Sequence, residues 1–140
     1  MPGLGEAEQR RRFAAAPVAR LATLRPDGTP RLVPITFALV NGLICSVVDE
    51  VKAKTTLRLA RLADVERDPR VALVVDHYAD DWTRLWWVRV DGTAAVLPDG
   101  PERAAALNVL RAKYPQYERP ELAGPVLAIT PTRWTAWAAR

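Results

Sequence analysis

The sequence predicts a mainly β fold in which about six antiparallel strands form a small closed barrel with helices on its rim. Two turn sequences, Arg25-Pro-Asp-Gly28 and Asn41-Gly42, each join two strand-like segments as a hairpin. The first three predicted strands have no crossover helix between them, which disfavours a parallel sheet. Turn signals at such short intervals favour a barrel.

The first part of the chain is predicted to be a helix followed by an antiparallel meander. In Glu6–Ala15 acidic residues precede basic ones, the order that complements a helix dipole, and Pro17 ends this helix. The Asn-Gly turn is typical of a tight hairpin. The three strands of the meander are Val18–Leu24, Pro30–Val40 and Leu43–Val48.

The middle of the chain is predicted to contain a helix and two longer strands. The spacing of leucines favours a helix over Thr55–Arg67, which ends near Asp68-Pro69. The continuous apolar run Val71–Asp76 is typical of a central strand that is buried on both faces. Arg84–Leu97 reads as a long strand with a bend or bulge at Asp91-Gly92.

The last part of the chain is predicted to hold one more helix and a closing strand. Asp99 is suited to cap this helix, and Pro101 suits its first turn. Gln116–Gly124 is expected to form a short helix or an ordered loop, and Val126–Trp137 the last strand. The apolar side of the helix is predicted to consist of Ala104, Leu107, Leu110 and Ala112.

Composition excludes several classes of protein. The 140 residues suit a single domain, 1–140, and no apolar run reaches the roughly 20 residues of a membrane span. The N-terminus does not resemble a secretory signal, so a cytoplasmic protein is expected. The net charge of +4 comes from interleaved acidic and basic residues, which disfavours nucleic-acid binding. A lone cysteine, Cys45, and a lone histidine, His77, do not form a disulfide or a zinc ligand set.

Side-chain catalysis is disfavoured, because the sequence has no nucleophile with a matched base and no glycine-rich phosphate loop. A cofactor that brings its own reactivity is the remaining option. Lys52, Lys54, Thr55 and Thr56 follow a strand and begin a helix, where cations, hydroxyls and free N–H groups suit a phosphate. An ordinary solvated loop with a helix cap explains the same residues at least as well.

Two further features suit a flat ligand. Pro34 interrupts the ladder at Val33-Pro34-Ile35, which either marks an edge strand or leaves backbone groups free to face a ring. Among the tryptophans, Trp82 lies in a polar loop and is the better candidate for a ring near a site. Trp86 and Trp87 should face opposite sides of a strand, in the core, at a dimer interface or beside a ligand. Trp134 and Trp137 are expected to pack across an interface.

The assembled pattern resembles the pyridoxamine-5′-phosphate-oxidase-like flavin and deazaflavin oxidoreductases, which have the FMN-binding split β-barrel fold. Residues 13–97 carry the resemblance, through VARLATLRPDGTPRLVPITF, NGLICSVV, RDPRVALVVD and WVRVDGTAAVL. The segment Asp80–Arg89 is similar to one in the branch that uses coenzyme F420, a deazaflavin. The resemblance implies a homodimer with cofactor at the subunit interface.

The resemblance also implies positions for the cofactor. Val33, Pro34 and Ile35 would face the ring through their backbone, Ser46 and Val47 would lie beside it, and the basic segment would bind the phosphate. Family members have an Arg-x-Lys pair soon before Asn-Leu and Asp-Pro-Arg, whereas Lys54 lies 14 residues before Asp68. Two registers therefore stay open.

In the first register Lys52 and Lys54 bind the phosphate. In the second, Asp64-Val65 takes the place of Asn-Leu, and Arg61, with Arg58 nearby, takes that of the lysine. The function expected is hydride transfer between F420 and a small organic substrate. The alternatives are an FMN-dependent enzyme and a non-catalytic flavin- or haem-binding module, the latter with His77 as ligand.

Overall fold

The computed structural model describes residues 4–48, 56–117 and 124–139, with the backbone alone for 56–59. These residues form three α-helices, seven strands and two 3₁₀ turns, at Trp82–Arg84 and Pro115–Tyr117. The helices are α1 (Glu6–Ala15), α2 (Thr56–Arg67) and α3 (Pro101–Lys113). The strands are β1 (Ala19–Leu24), β2 (Pro30–Ile35), β3 (Ala38–Val40), β4 (Leu43–Val47), β5 (Arg70–His77), β6 (Trp86–Leu97) and β7 (Val126–Ala138). No helix in the described ranges is long and apolar enough to cross a membrane.

All seven strands form one antiparallel sheet in the order β2-β1-β5-β6-β7-β4-β3. Its two edge strands, β2 and β3, are consecutive in the chain, with Thr36 and Phe37 between them. Because a residue spans at most about 3.6 Å, Ile35 and Ala38 lie within roughly 11 Å of each other. The sheet must therefore curl until its edges meet at this corner. No ladder joins β2 to β3 over the described residues, so the barrel is open there rather than closed as predicted.

The break at Thr36 and Phe37 corrects the predicted meander. The expected strand Pro30–Val40 is two strands, which raises the count from about six to seven. β2 pairs with β1 at one edge of the sheet, and β3 pairs with β4 at the other. Both hairpins form as predicted, but the two halves of the expected strand belong to opposite edges. Pro34 lies in an edge strand, where a missing N–H is tolerated.

The end of α3 fastens this break. The Tyr114 hydroxyl accepts from the Phe37 backbone N–H at 3.1 Å and lies 2.9 Å from the Pro17 carbonyl oxygen. The Lys113 ammonium donates to the carbonyl oxygens of Ala16 at 2.8 Å and Phe37 at 2.9 Å. Burial lowers the pKa of Lys113 to about 8. Backbone groups of Phe37 that a ladder would pair are thus paired by side chains of α3.

Side chains along each strand alternate between the two faces of the sheet, and each face contributes to a separate core cluster. One core cluster fills the barrel and includes Phe13, Leu21, Leu73 and Val88. A second lies between the sheet and α3. β5 is an interior strand, as predicted, but only Val71, Leu73 and Val75 are buried, because the described helices leave its outer face half-exposed.

The helices begin and end close to where the sequence places them. α1 and the end of α2 before Pro69 are confirmed. The residue before α3 is Gly100, and Asp99 pairs with Arg103 at 3.5 Å instead of capping the helix. α3 buries Ala106, Leu107 and Leu110, whereas Ala104 and Ala112 are exposed. Gln116 and Tyr117 belong to a 3₁₀ turn, and 118–123 lie outside the described residues.

A bulge between β6 and β7 confirms the irregularity predicted at Asp91-Gly92. Asp91 pairs with Arg133 and Gly92 with Pro131, so the extra residue is Thr132, on β7 rather than β6. The Thr132 hydroxyl donates to the Asp91 carbonyl at 3.0 Å. The strands approach so closely that a Cβ at Gly92 would lie 2.3 Å from the Thr130 carbonyl oxygen. Only glycine fits this position without a backbone shift.

Gly92→Ala is expected to destabilise the protein by about 2 kcal/mol or more, because the added methyl group overlaps backbone atoms that cannot turn away. Urea unfolding measures this. Gly5→Ala is the matched control, since a Cβ at Gly5 meets nothing within 4 Å. Equal midpoints for the two variants would contradict the close approach.

Candidate active site

The predicted ring-binding residues of β2 present their backbone at the open corner of the barrel. Val33 and Ile35 face the barrel core, and Pro34 is exposed on the outer face. β1 pairs with one side of β2, and the other side is a free edge among the described strands. In an antiparallel ladder the carbonyl of a residue points to the same side as its N–H. Pro34 has no N–H to pair, which suits a position whose backbone faces the free edge.

The predicted residues of β4 lie beyond the same corner, and their side chains point to opposite faces. Ser46 is buried and pairs with Leu127 of β7. Its face is that of Ile44, which belongs to the barrel core. The side chain of Val47 packs in the cluster beneath α3. Of Val47, therefore, only the backbone remains to approach a ligand at the corner.

The predicted phosphate-binding residues fall into two groups. Lys52, Lys54 and Thr55 lie outside the described residues. Thr56 is the first residue of α2, and Arg58 follows it on the same helix. Arg61 is one turn further along, with a partly buried side chain. The helix that follows β4 therefore carries two arginines in its first two turns, near its positive end.

A buried carboxylate fixes this helix against the hairpin of β1 and β2. Asp64, 1% exposed, accepts hydrogen bonds from the Thr23 hydroxyl at 2.8 Å, from Arg31 Nε at 2.7 Å and from Arg67 at 3.1 Å. Burial raises the pKa of Asp64, but the bonds from Arg31, Thr23 and Arg67 outweigh it, and the net pKa is lowered. The sequence did not indicate this network, since its members come from three elements.

The tryptophan candidates lie elsewhere, at the ends of β5 and β7 and the start of β6. Trp82 is 75% exposed in its 3₁₀ turn. Trp86 is partly buried, with its ring stacked on His77 at 6.3 Å between centroids and Arg12 over it at 5.3 Å. A pocket of about 360 Å³ opens beside them and includes Arg84. No local sequence signal indicated Arg12, which comes from α1.

The structure does not bring the two sets of candidates together within one chain. In the sheet order β6 is the third neighbour of β2. Three strand spacings amount to about 14 Å along the sheet. Measured across the sheet from strand to strand, a ligand on the free edge of β2 thus lies well away from Trp82 and Trp86 of the same chain.

The remaining tryptophans and reactive groups have structural roles. Trp134 packs edge-on against Phe13, with 5.4 Å between ring centroids, so its predicted place at an interface is not needed to explain it. Trp87 and Trp137 are paired across β6 and β7 on the outer face. Cys45 is buried, and burial, with a smaller effect of Glu102, raises its pKa to about 11, which makes it an inert core residue. No cluster of metal-ligating side chains occurs in the described ranges.

An antiparallel barrel that is open between β2 and β3, with an arginine-bearing helix after β4, defines the chain as a split-barrel protein. The family model described as pyridoxamine 5′-phosphate oxidase matches residues 6–138, and the chain belongs to this family. A search of curated proteins found no match.

Solved structures share the fold across nearly the whole chain. A conserved hypothetical protein of Mycobacterium tuberculosis is 21% identical, with a TM-score of 0.81 over 98% of this chain and 86% of that one. An FAD-binding protein of Mesorhizobium loti is 23% identical, with a TM-score of 0.72 over 96% and 95%. An FAD-binding protein of Mycobacterium smegmatis is 22% identical, with a TM-score of 0.69 over 99% and 100%. At these identities the likeness establishes the fold.

Asp64→Ala is expected to lower the free energy of unfolding by about 2 to 3 kcal/mol at pH 7, because Arg31 and Thr23 lose their buried partner. The folded-state pKa of Asp64 lies below its unfolded value, so the unfolded chain binds the proton first on acidification. The difference between wild type and variant should therefore shrink below about pH 4.

Urea unfolding between pH 3 and pH 7 measures both effects. Asp99→Ala is the control, because that carboxylate is 97% exposed and its loss should change stability by at most about 0.5 kcal/mol. A difference that stays constant over this pH range would contradict the assigned role of Asp64.

Proposed function

We propose that this chain is an F420-dependent oxidoreductase that transfers a hydride between the deazaflavin and a small organic substrate. The observation that carries the proposal is the open corner of the barrel, where the free edge of β2 and the end of β4 lie, together with the arginine-bearing helix α2 that Asp64 joins to β2. Membership of the pyridoxamine 5′-phosphate oxidase family supports a flavin-type cofactor. The segment Asp80–Arg89, which resembles the F420-using branch, favours the deazaflavin over FMN.

The free edge of β2 and the start of α2 fit such a group by their chemistry. A flat heterocycle with a polar edge needs backbone donors and acceptors, which the free edge of β2 offers near Pro34. A phosphate needs cations and free N–H groups, which the first turns of α2 offer. When bound, the deazaflavin supplies the hydride from its C5 carbon. The task of the chain is to orient the cofactor and substrate and to exclude water from between them.

Burial on α2 favours one of the two registers for the phosphate. Asp64 and Val65 are both buried, at 1% and 3% exposure, as expected of residues in the structural place of Asn-Leu. Arg61 then takes the place of the family lysine, with Arg58 one turn before it. We assign the phosphate to Arg61 and Arg58 in preference to Lys52 and Lys54.

A homodimer would explain why the candidate residues of β2 and the candidates Trp82 and Trp86 lie apart within one chain. The outer face of the sheet carries five apolar side chains that are partly or largely exposed, which we call the outer strip: Ala22, Leu32, Val74, Trp87 and Trp137. The charged residues Arg20, Asp76 and Arg89 lie among them on the same face. Leu32 is 67% and Trp137 44% exposed, and a partner chain on this face would cover both. If two chains pair through the outer strip, Trp82 of one chain is free to approach the β2 edge of the other.

Purified protein is expected to bind F420 saturably and more tightly than FMN, as quenching of F420 fluorescence with an FMN titration in parallel would measure. Tight binding of FMN with no binding of F420 would mean that the cofactor is FMN and not the deazaflavin. Failure to bind either would refute the proposed function.

Arg61→Gln should weaken cofactor binding by about tenfold or more, because one charge-assisted contact to the phosphate is lost. Arg61→Lys should restore most of the affinity, since it keeps the charge. Arg111→Gln on α3 is the control for the change of net charge. Thermal unfolding of all three variants separates loss of binding from loss of fold. An unchanged affinity in a folded Arg61→Gln variant would contradict this assignment and favour Lys52 and Lys54 as the phosphate-binding residues.

Leu32→Glu should convert a dimer to a monomer, because it places a charge in the outer strip, and should also weaken cofactor binding. Sedimentation equilibrium measures the mass. Val109→Glu is the matched control, because Val109 is an exposed apolar residue on α3, away from the outer strip. A wild-type protein that is monomeric with its cofactor bound would rule out a shared site.

A further inference from the structure

A groove of about 840 Å³ lies at the other end of β4 from the proposed cofactor site. Its walls are α1, the turn between β3 and β4, and the bulged part of β7. The turn is fixed, since Asn41 and Gly42 have φ values of 51° and 83°, as a primed hairpin turn requires. Leu43 at the groove is four residues from Val47, so about 13 Å of strand separates the two regions.

The floor of the groove is apolar and held in place. Leu39, Leu43 and Trp134 are partly buried, and Pro131 completes the surface. The Trp134 ring is fixed by its edge-on contact with Phe13, at an interplanar angle of 79°. A preformed groove of this volume, with an aromatic ring in its floor, is typical of sites for small organic molecules.

Two arginines give the groove a positive charge. Arg10 lies over the Trp134 ring, with its guanidinium carbon 4.9 Å from the ring centroid, and pairs with Glu6 at 3.3 Å. The Arg133 side chain makes no hydrogen bond or ion pair within the described part of the chain. Its opposite residue in the ladder, Asp91, instead pairs with Arg89 at 3.6 Å. The exposed Arg133 guanidinium therefore has no direct ion-pair partner among the described residues and lies beside an apolar surface.

We propose that this groove binds a small organic monocarboxylate with a flat apolar body. The body lies on Leu39, Leu43 and Pro131, beside the Trp134 ring that Arg10 covers, and the carboxylate pairs with Arg133, whose planar guanidinium suits two parallel hydrogen bonds. Glu6 beside Arg10 disfavours a second negative charge on the ligand. This site does not depend on the proposed cofactor, because it lies at the opposite end of β4.

Naphthalene-2-carboxylate and its neutral analogue naphthalene-2-carboxamide test the proposal on the full chain. Isothermal titration calorimetry is expected to show one carboxylate bound per chain, at least tenfold more tightly than the carboxamide, because only the acid forms the charged pair. Amide NMR shifts should map to the β3–β4 turn and to Thr130–Trp134. Equal affinity for acid and amide, shifts elsewhere, or no binding at millimolar concentration would each overturn the proposal.

Arg133→Gln should reduce the affinity for the carboxylate by about tenfold and leave that for the carboxamide unchanged. Arg133→Lys should recover part of the loss, and Arg111→Gln, on α3 outside the groove, should have no effect. Thermal unfolding checks that each variant folds. If Arg133→Gln is folded and binds the carboxylate as wild type does, Arg133 is not the anion-binding group and the assignment is refuted.

Discussion

The break in the chain at Thr36 and Phe37 is the constraint on which the rest of the structure depends. Two residues connect strands at opposite edges of a seven-stranded sheet, so the sheet can form only in a curled shape. The curl creates the interior that the first core cluster fills, and it leaves one open corner. Tyr114 and Lys113 pair the backbone of Phe37 there. The end of α3, far along the chain, thus pairs backbone groups at the open corner.

Asp64 likewise holds α2, the helix that carries Arg58 and Arg61, in its place against the sheet. α2 packs Val65 and Leu62 on the barrel core, and the Asp64 carboxylate joins it to the hairpin of β1 and β2 through Thr23 and Arg31. Arg31 lies two residues before Val33 on β2, and Asp64 is one turn from Arg61. One buried charge therefore fixes the distance between the β2 edge and the arginines. A cofactor that needs both at once depends on this carboxylate without touching it.

The sequence predicted correctly those parts of the fold that depend on the conformational preferences of a few neighbouring residues. The Asn41-Gly42 turn, the end of α2 before Pro69 and the bulge at Asp91-Gly92 each follow from the conformations of a few residues. The division of the strand at Phe37 does not, because its cause is a tyrosine and a lysine 77 and 76 residues away. The buried face of α3 was misjudged in the same way, since the sheet beneath it decides which alanines are covered.

The same distinction applies to the site. The family pattern placed Val33–Ile35 and Arg61 beside one ligand. The structure joins α2 to β2 through Asp64 and Arg31, near the turn end of β2 rather than at Thr36 and Phe37. The family pattern could not tell that Val47 faces α3 or that Trp82 is remote from β2 in its own chain, because both depend on sheet order. Arg12 and Arg133, which enter from α1 and β7, have no sequence signal at all.

β2 serves three purposes in three directions, and this explains why its residues should respond differently to substitution. Val33 and Ile35 point into the core, so their side chains are constrained by packing. Leu32 and Pro34 point outward, where only another molecule constrains them. The free edge of β2 presents backbone groups. Side-chain substitutions leave these groups in place unless they shift the strand. A change of register by one residue would exchange the core and outer faces together, so the hairpin turn at Asp27-Gly28 sets which residues of β2 face the core.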